Sequence, residues 1–188
     1  RYHVRKGEQL KSLAKFYLSQ SASLTTNSSA AKSLGVTTDT VGKFAGYLET
    51  AFLFSFLKRF SYKTKEQEKS PRKVYAIDTG LANAVGFRFS ENLGHLAESL
   101  VFWELKKQKM LNPNMELFFW KDTHHREVDF LLKESLSVNR LIQVCWNINQ
   151  DKTRDREIRA LLLAMDKFNL SEALIINDDQ KSQEIIKG

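Results

Sequence analysis

Apolar positions recur at helical intervals over residues 9–20, where Leu10, Leu13, Ala14, Tyr17 and Leu18 define one face and predict an amphipathic helix. The polar run 19–27 breaks that pattern and offers Asn27 or Ser28 as the N-cap of a short helix that Gly35 stops after Leu34. Thr37 or Thr38 then caps a longer helix with Val41, Phe44, Ala45, Leu48 and Phe52 along one side. Residues 54–62 are aromatic and β-prone. Beyond a lysine-rich loop and Ser70-Pro71, residues 73–78 predict another strand.

The second half reads differently. A short helix over 81–85 precedes a long one that starts near Leu93 and carries Leu96, Leu100, Val101, Trp103 and Leu105. After Asn112-Pro113-Asn114 come strand-like runs at 117–120, 127–132 and 141–146, a charged helix at 153–168, a strand at 173–176 and a helical segment at 180–187. Helices followed by α-β-β-β-α-β predict an α/β fold (α+β overall) in two domains, 1–73 and 74–188, with the boundary near 73–90.

Residues 31–41 have helix-turn-helix spacing. Ala31 is small enough for two helices to approach, Gly35 supplies a positive-φ turn, and Val36 and Val41 face inward. The exposed positions of the second helix are Thr38, Asp39, Thr40, Gly42 and Lys43. Only Lys43 is basic there, and no Arg, Asn or Gln offers a bidentate contact to a base. The pattern predicts a winged helix with the basic segment 58–73 as its wing. Non-specific phosphate contact or protein docking fits better than sequence-specific DNA reading by a transcriptional regulator.

Charge sharpens this picture. The formal +7 divides into +9 over residues 1–73 and −2 over 74–188. Lys58, Arg59, Lys63, Lys65, Lys69, Arg72 and Lys73 make the densest cluster, an electrostatic footprint for nucleic acid through the winged helix. The same composition suits a solvated linker or hairpin tip. Lone Cys145 excludes an internal disulfide and a Cys-based zinc finger, which makes a reducing compartment, the cytoplasm, the default expectation. No apolar run reaches the roughly 20 residues of a membrane span. The start at Arg1, without Met, leads us to expect a fragment of a longer protein.

Several motifs fail. Six residues separate Gly35 from Gly42, and Phe44 follows Lys43, so no Walker A loop is present. The adjacent His124 and His125 diverge on any strand or turn and have no third ligand in sequence, so they read as exposed loop residues.

The acidic residues of the second half are more informative. Glu98 sits mid-helix among apolar neighbours, and strand alternation puts Glu127 and Asp129 on one face. On the next strand Gln143 and Cys145 share a face. Carboxylates from a helix and a strand converging on a sheet are how nuclease-like folds hold a divalent cation.

Asp78-Thr-Gly-Leu81, Ala97-Glu98 with Val101-Phe102 and Glu104-Leu105, and Phe119-Trp120-Lys121 followed by Arg126-Glu-Val-Asp-Phe130 resemble the C-terminal region of a prokaryotic AAA-type ATPase family. The resemblance implies a winged helix followed by a domain of unknown function with a PD-(D/E)xK, restriction-endonuclease-like fold. It implies an N-terminal P-loop ATPase domain in the same polypeptide, which would bind ATP. It also implies a strand reading Glu-x-Lys after Asp129, where the carboxylate binds magnesium and the lysine stabilises charge on the phosphate. Here that strand reads Gln143-Val-Cys145. An amide is a poor magnesium ligand and a thiol lacks the fixed positive charge. Glu98, Glu127, Asp129, Gln143 and Cys145 are therefore expected to be vestigial positions, with Mg2+ held weakly, if at all, by Glu98 and Asp129. The expected function is a non-catalytic nucleic-acid- or protein-interaction module, with no cofactor of its own and an unassigned protein partner. The alternative is a weak metal-dependent DNA nuclease. Cys145, flanked by Val144 and Trp146, is expected to be a buried, inert thiol.

Overall fold

The computed structural model describes residues 7–85, 93–148 and 151–178, and the helix expected at 180–187 lies outside them. The chain divides into two compact units, Arg1–Lys58 with Lys63–Trp103, and Arg59–Tyr62 with Glu104–Gly188.

In the first unit the expected periodicities become helices α1 (Gly7–Ser19), α2 (Asn27–Leu34) and α3 (Thr38–Thr50). Leu13, Tyr17 and Leu18 of α1 join Ala30, Ala31, Val41, Phe44, Ala45 and Leu48 in one core. Thr26, rather than Asn27 or Ser28, caps α2, because its hydroxyl accepts Ser29 N–H at 2.9 Å while Ser29 Oγ accepts Thr26 N–H, a reciprocal capping box. Gly35 adopts φ 64° as the turn requires, and Thr37 caps α3. The helix ends before Phe52, which sits at φ 58° and is 76% exposed instead of lining the core.

Strand β1 (Ser23–Thr25) lies inside the polar run that the sequence reads as a break. It pairs antiparallel with β3 (Arg72–Ala76), which also pairs with β2 (Phe54–Leu57). Between β2 and β3 the connection contains a short helix, α4 (Thr64–Lys69), and after β3 comes α5 (Thr79–Val85). The order α1-β1-α2-α3-β2-β3 with a sheet ordered β1-β3-β2 is a winged helix-turn-helix. The division expected at residue 73 falls within β3, the central strand of this sheet.

Helix α6 (Leu93–Leu111) is shared, with its first half in the first unit and its last turns in the second. In the first unit Tyr75 stacks on Phe102 at 3.9 Å, and Trp103 Nε1 donates to the Ala76 carbonyl at 2.7 Å. The second unit continues with β4 (Met115–Lys121), β5 (Glu127–Glu134), β6 (Ser137–Val144), α7 (Asp151–Phe168) and β7 (Leu174–Ile176). Strands β4, β5 and β6 form an antiparallel meander, and β7 adds parallel to β6, giving the order β4-β5-β6-β7. Strand β6 starts before the expected residue 141, because Glu134 pairs with Ser137 across a tight turn that places Ser135 at φ 54°. Cys145 falls just beyond it, its N–H donating to the Ile176 carbonyl at 2.8 Å.

Phe60 belongs to this second unit. It packs with Phe118, Trp120, Val128, Leu131, Leu141, Leu161 and Ala164, and its N–H donates to the Phe119 carbonyl at 2.7 Å. The strand expected over 54–62 therefore stops at Leu57, since the residues after Lys58 are claimed by a different core. From α6 onward the elements follow the expected α-β-β-β-α-β order, a mixed α/β arrangement.

Candidate functional site

Two sets of residues were singled out by sequence, the basic surface of the winged helix and the carboxylates of the nuclease-like unit. On α3, Thr38, Asp39, Lys43 and Glu49 are exposed, so the helix that enters a groove in DNA-binding winged helices presents one cation against two anions. The positive charge concentrates on the wing. Among the described residues, Lys43, Lys65 and Lys69 are exposed and make no ion pair. Lys58 is paired with Glu68 at 2.6 Å and Lys63 with Glu66 at 3.2 Å, both at the surface, where such pairs rearrange at little cost.

Three of the residues expected to contact phosphate are engaged by other groups, and one of them, Lys73, is buried. Lys73 is 3% exposed, and its Nζ donates to Glu98 Oε1 at 2.9 Å. Arg72 lies over the Phe56 ring at 4.0 Å and donates to Asn27 Oδ1 at 3.0 Å, holding the sheet to α2. Arg59 belongs to the second unit, where its Nε and Nη2 both donate to the Lys121 carbonyl. Each guanidinium or ammonium donates to a buried or half-buried acceptor, as buried polar groups generally require.

The expected acidic residues each have partners within their own unit. Glu98 lies in the first unit, where Lys73 Nζ and Tyr75 Oη (2.6 Å) converge on its Oε1. Glu127 pairs with Lys121 at 2.8 Å across β4 and β5. Asp129 and Gln143 do come together. Asp129 N–H donates to Gln143 Oε1 at 3.2 Å, and Asp129 Oδ2 accepts Val144 N–H at 3.0 Å. The sequence reading missed Glu157 of α7, whose Oε2 accepts Gln143 Nε2 at 2.8 Å while Arg156 Nε donates to Oε1 at 3.0 Å. Its signal was its place one turn into a charged helix, on the side of Thr153 and Ile158, which are also partly buried.

Cys145 is buried. Burial pushes its thiol pKa up, and the nearby Glu157 and Asp129 carboxylates add to this against an opposing effect of Arg156. His124 and His125 lie exposed in the β4–β5 turn, organised by Asp122, whose Oδ1 accepts the N–H groups of His124 (2.8 Å) and Arg126 (2.9 Å).

A magnesium site of the nuclease type needs several oxygen ligands carrying negative charge. The donor set here does not fit. Gln143 contributes a neutral amide whose N–H is aimed at Glu157, Asp129 Oδ2 is engaged by a backbone N–H, and Glu98 is held by an ammonium and a phenol. Among the described residues no group of three His, Cys, Asp or Glu side chains is placed to hold a metal ion.

Element order and sheet topology define a winged helix-turn-helix unit and a second unit of mixed α/β structure. The profile described as a domain of unknown function, DUF4143, matches residues 93–188, more than half of the chain, and a second domain of unknown function, DUF8612, matches residues 2–92. The chain belongs to the DUF4143 family. It is 35% identical over 150 residues to the uncharacterized protein MJ1544 of Methanocaldococcus jannaschii, a match covering 77% of this chain and 32% of that relative. The chain thus spans about a third of the curated relative's length. Among solved structures, a mutant of MepR from a multidrug resistant S. aureus clinical isolate is 21% identical, over 56% of this chain and 76% of that one. Its TM-score is 0.29, too low to bear on the fold. Among the described residues no helix is long and apolar enough to cross a membrane.

Proposed function

We propose that this chain is a non-catalytic interaction module of a larger ATP-binding protein, and that its winged helix contacts nucleic acid through phosphate. The observation that carries this reading is the placement of charge. Lys65 and Lys69 stand exposed and unpaired on the wing, Lys58 and Lys63 beside them make surface pairs, and α3 carries two acids beside Lys43. Phosphates bind exposed ammonium groups regardless of base sequence, whereas groove reading needs bidentate donors that α3 lacks. Binding should therefore be weak, salt-sensitive and indifferent to sequence.

The ATPase domain belongs to this proposal and not to this chain. Its support is the family resemblance carried by Asp78-Thr-Gly-Leu81 and residues 97–130, and the much greater length of the curated relative. A cytoplasmic location follows from the same reading. Fluorescence anisotropy with labelled duplex DNA over a salt series is the test. Steep loss of binding with rising salt, equal for unrelated sequences, is the expected result. Binding no stronger than that of a neutral control protein at low salt would remove nucleic acid and leave a protein as the wing's partner.

A further inference from the structure

Gln143 joins three elements through one side chain. From β6 its Oε1 accepts the N–H of Asp129 on β5 at 3.2 Å, and its Nε2 donates to Glu157 on α7 at 2.8 Å. Asp129 closes the loop by accepting Val144 N–H at 3.0 Å. Gln143 is 4% exposed and Asp129 7%, so these bonds have little competition from water. Two carboxylates in one such network, Glu157 on the amide and Asp129 on the adjacent Val144 N–H, need compensation, which nuclease-like folds obtain from a divalent cation. Here it comes from the Gln143 and Val144 N–H groups and from Arg156.

We infer that the Gln143 amide takes the structural place of the divalent cation, cross-linking β5, β6 and α7 by hydrogen bonds, an inference that rests on the non-catalytic reading of this unit and is independent of any contact made by the wing. A metal and the amide are alternative solutions to the same electrostatic problem. An amide that both donates and accepts satisfies Glu157 and Asp129 N–H at once, and it brings no negative charge to a cation. Glutamate at 143 has no proton to donate to Glu157 and adds a third carboxylate. It restores the need for a cation and the ligands to hold one.

The test is thermal unfolding of the full chain, freed of metal with EDTA and titrated with millimolar MnCl2. Wild type should keep its Tm within about 1 °C throughout, because a ligand raises Tm only by binding the native state. Gln143→Glu should melt lower in EDTA and regain several degrees with MnCl2. A wild-type Tm that climbs with MnCl2, and ceases to climb in Asp129→Asn, would overturn the inference. So would a folded Gln143→Glu that ignores MnCl2. Glu157→Ala covers the case in which Gln143→Glu does not fold. It removes the acceptor without adding charge and should lower Tm in EDTA, whereas an unchanged Tm would refute the cross-link. DNA binding by the wing is read separately by anisotropy, so failure of the proposed function leaves these melts interpretable.

Discussion

Lys73 Nζ lies 2.9 Å from Glu98 Oε1, with side chains 4% and 9% exposed, so the central strand of the winged helix is tied to the first half of α6 by a buried ion pair. Tyr75, two residues along β3, donates its hydroxyl to the same oxygen at 2.6 Å. Removing one partner of a buried ion pair generally costs far more than replacing the group by apolar side chains, which removes the penalty as well as the attraction. Glu98→Ala should therefore cost about 3–5 kcal/mol in urea unfolding. The triple change Lys73→Met, Tyr75→Phe and Glu98→Leu should recover most of that loss. A Glu98→Ala protein as stable as wild type would show that the pair is not what holds α6 to β3.

The wing is separable from this buried group. Lys65→Glu with Lys69→Glu should reduce the slope of log affinity against log salt by about 2 in duplex binding, one per lost phosphate contact. An unchanged slope would place the phosphate contacts elsewhere. Far-UV circular dichroism should be unaffected, since both side chains are exposed on α4.

Phe60 sits in sequence beside the wing but in space within the core of the second unit. Its ring meets Phe118 at 5.5 Å and Phe168 at 5.4 Å, both edge to face. Phe60→Ala should destabilise the second unit by about 3–5 kcal/mol through loss of burial and the cavity left behind. Hydrogen exchange should report faster opening of β4, where Phe60 N–H is bonded to Phe119.

Asp122 gives the β4–β5 turn a pH dependence. Burial opposes ionisation of its carboxyl. Hydrogen bonds from the Arg126 side chain and from the Arg126 and His124 N–H groups outweigh it and hold the pKa below the usual carboxylate value. A folded pKa below the unfolded one adds stability that is complete above the unfolded value, about 3.9, and is lost as pH falls through the folded value. Wild type should lose this contribution on acidification, and Asp122→Asn should be less stable at pH 7 with a flatter acid limb. Parallel acid limbs would exclude Asp122 as a contributor.

Cys145 should react slowly. Its thiol is buried and pushed up in pKa, so at pH 8 a thiolate is both scarce and shielded. Modification by a chromogenic disulfide should run at least about tenfold slower than in urea-unfolded protein. Equal rates would mean that the strand end opens readily.

Much of this architecture was legible along the chain. Leu13, Tyr17, Val41, Phe44 and Leu48 fell at helical spacing and did fill the core, and Gly35 did form the turn between α2 and α3. Strand β1 was not legible, because Ser23, Leu24 and Thr25 have no apolar alternation and are held by β3. The wing's helix α4 escaped for a similar reason, since it buries no residue and leaves no periodic trace. That Gln143 and Cys145 stand where the resembled pattern has Glu and Lys could be read directly. Their actual partners could not, because Glu157 is 14 residues from Gln143 and only the packing of α7 on β6 brings them together.

Local periodicity, capping residues and charge counts belong to the sequence, because they depend on neighbours a few residues apart. They determined the helix-turn-helix, the α-β-β-β-α-β order and the excess of positive charge in the first third. Which charges face water was decided by tertiary structure alone. Lys73 and Lys65 are the same residue type eight positions apart, yet one neutralises Glu98 in the interior and the other stands free on the wing. Desolvation makes that difference, since a buried ammonium persists only where a distant carboxylate is brought to meet it.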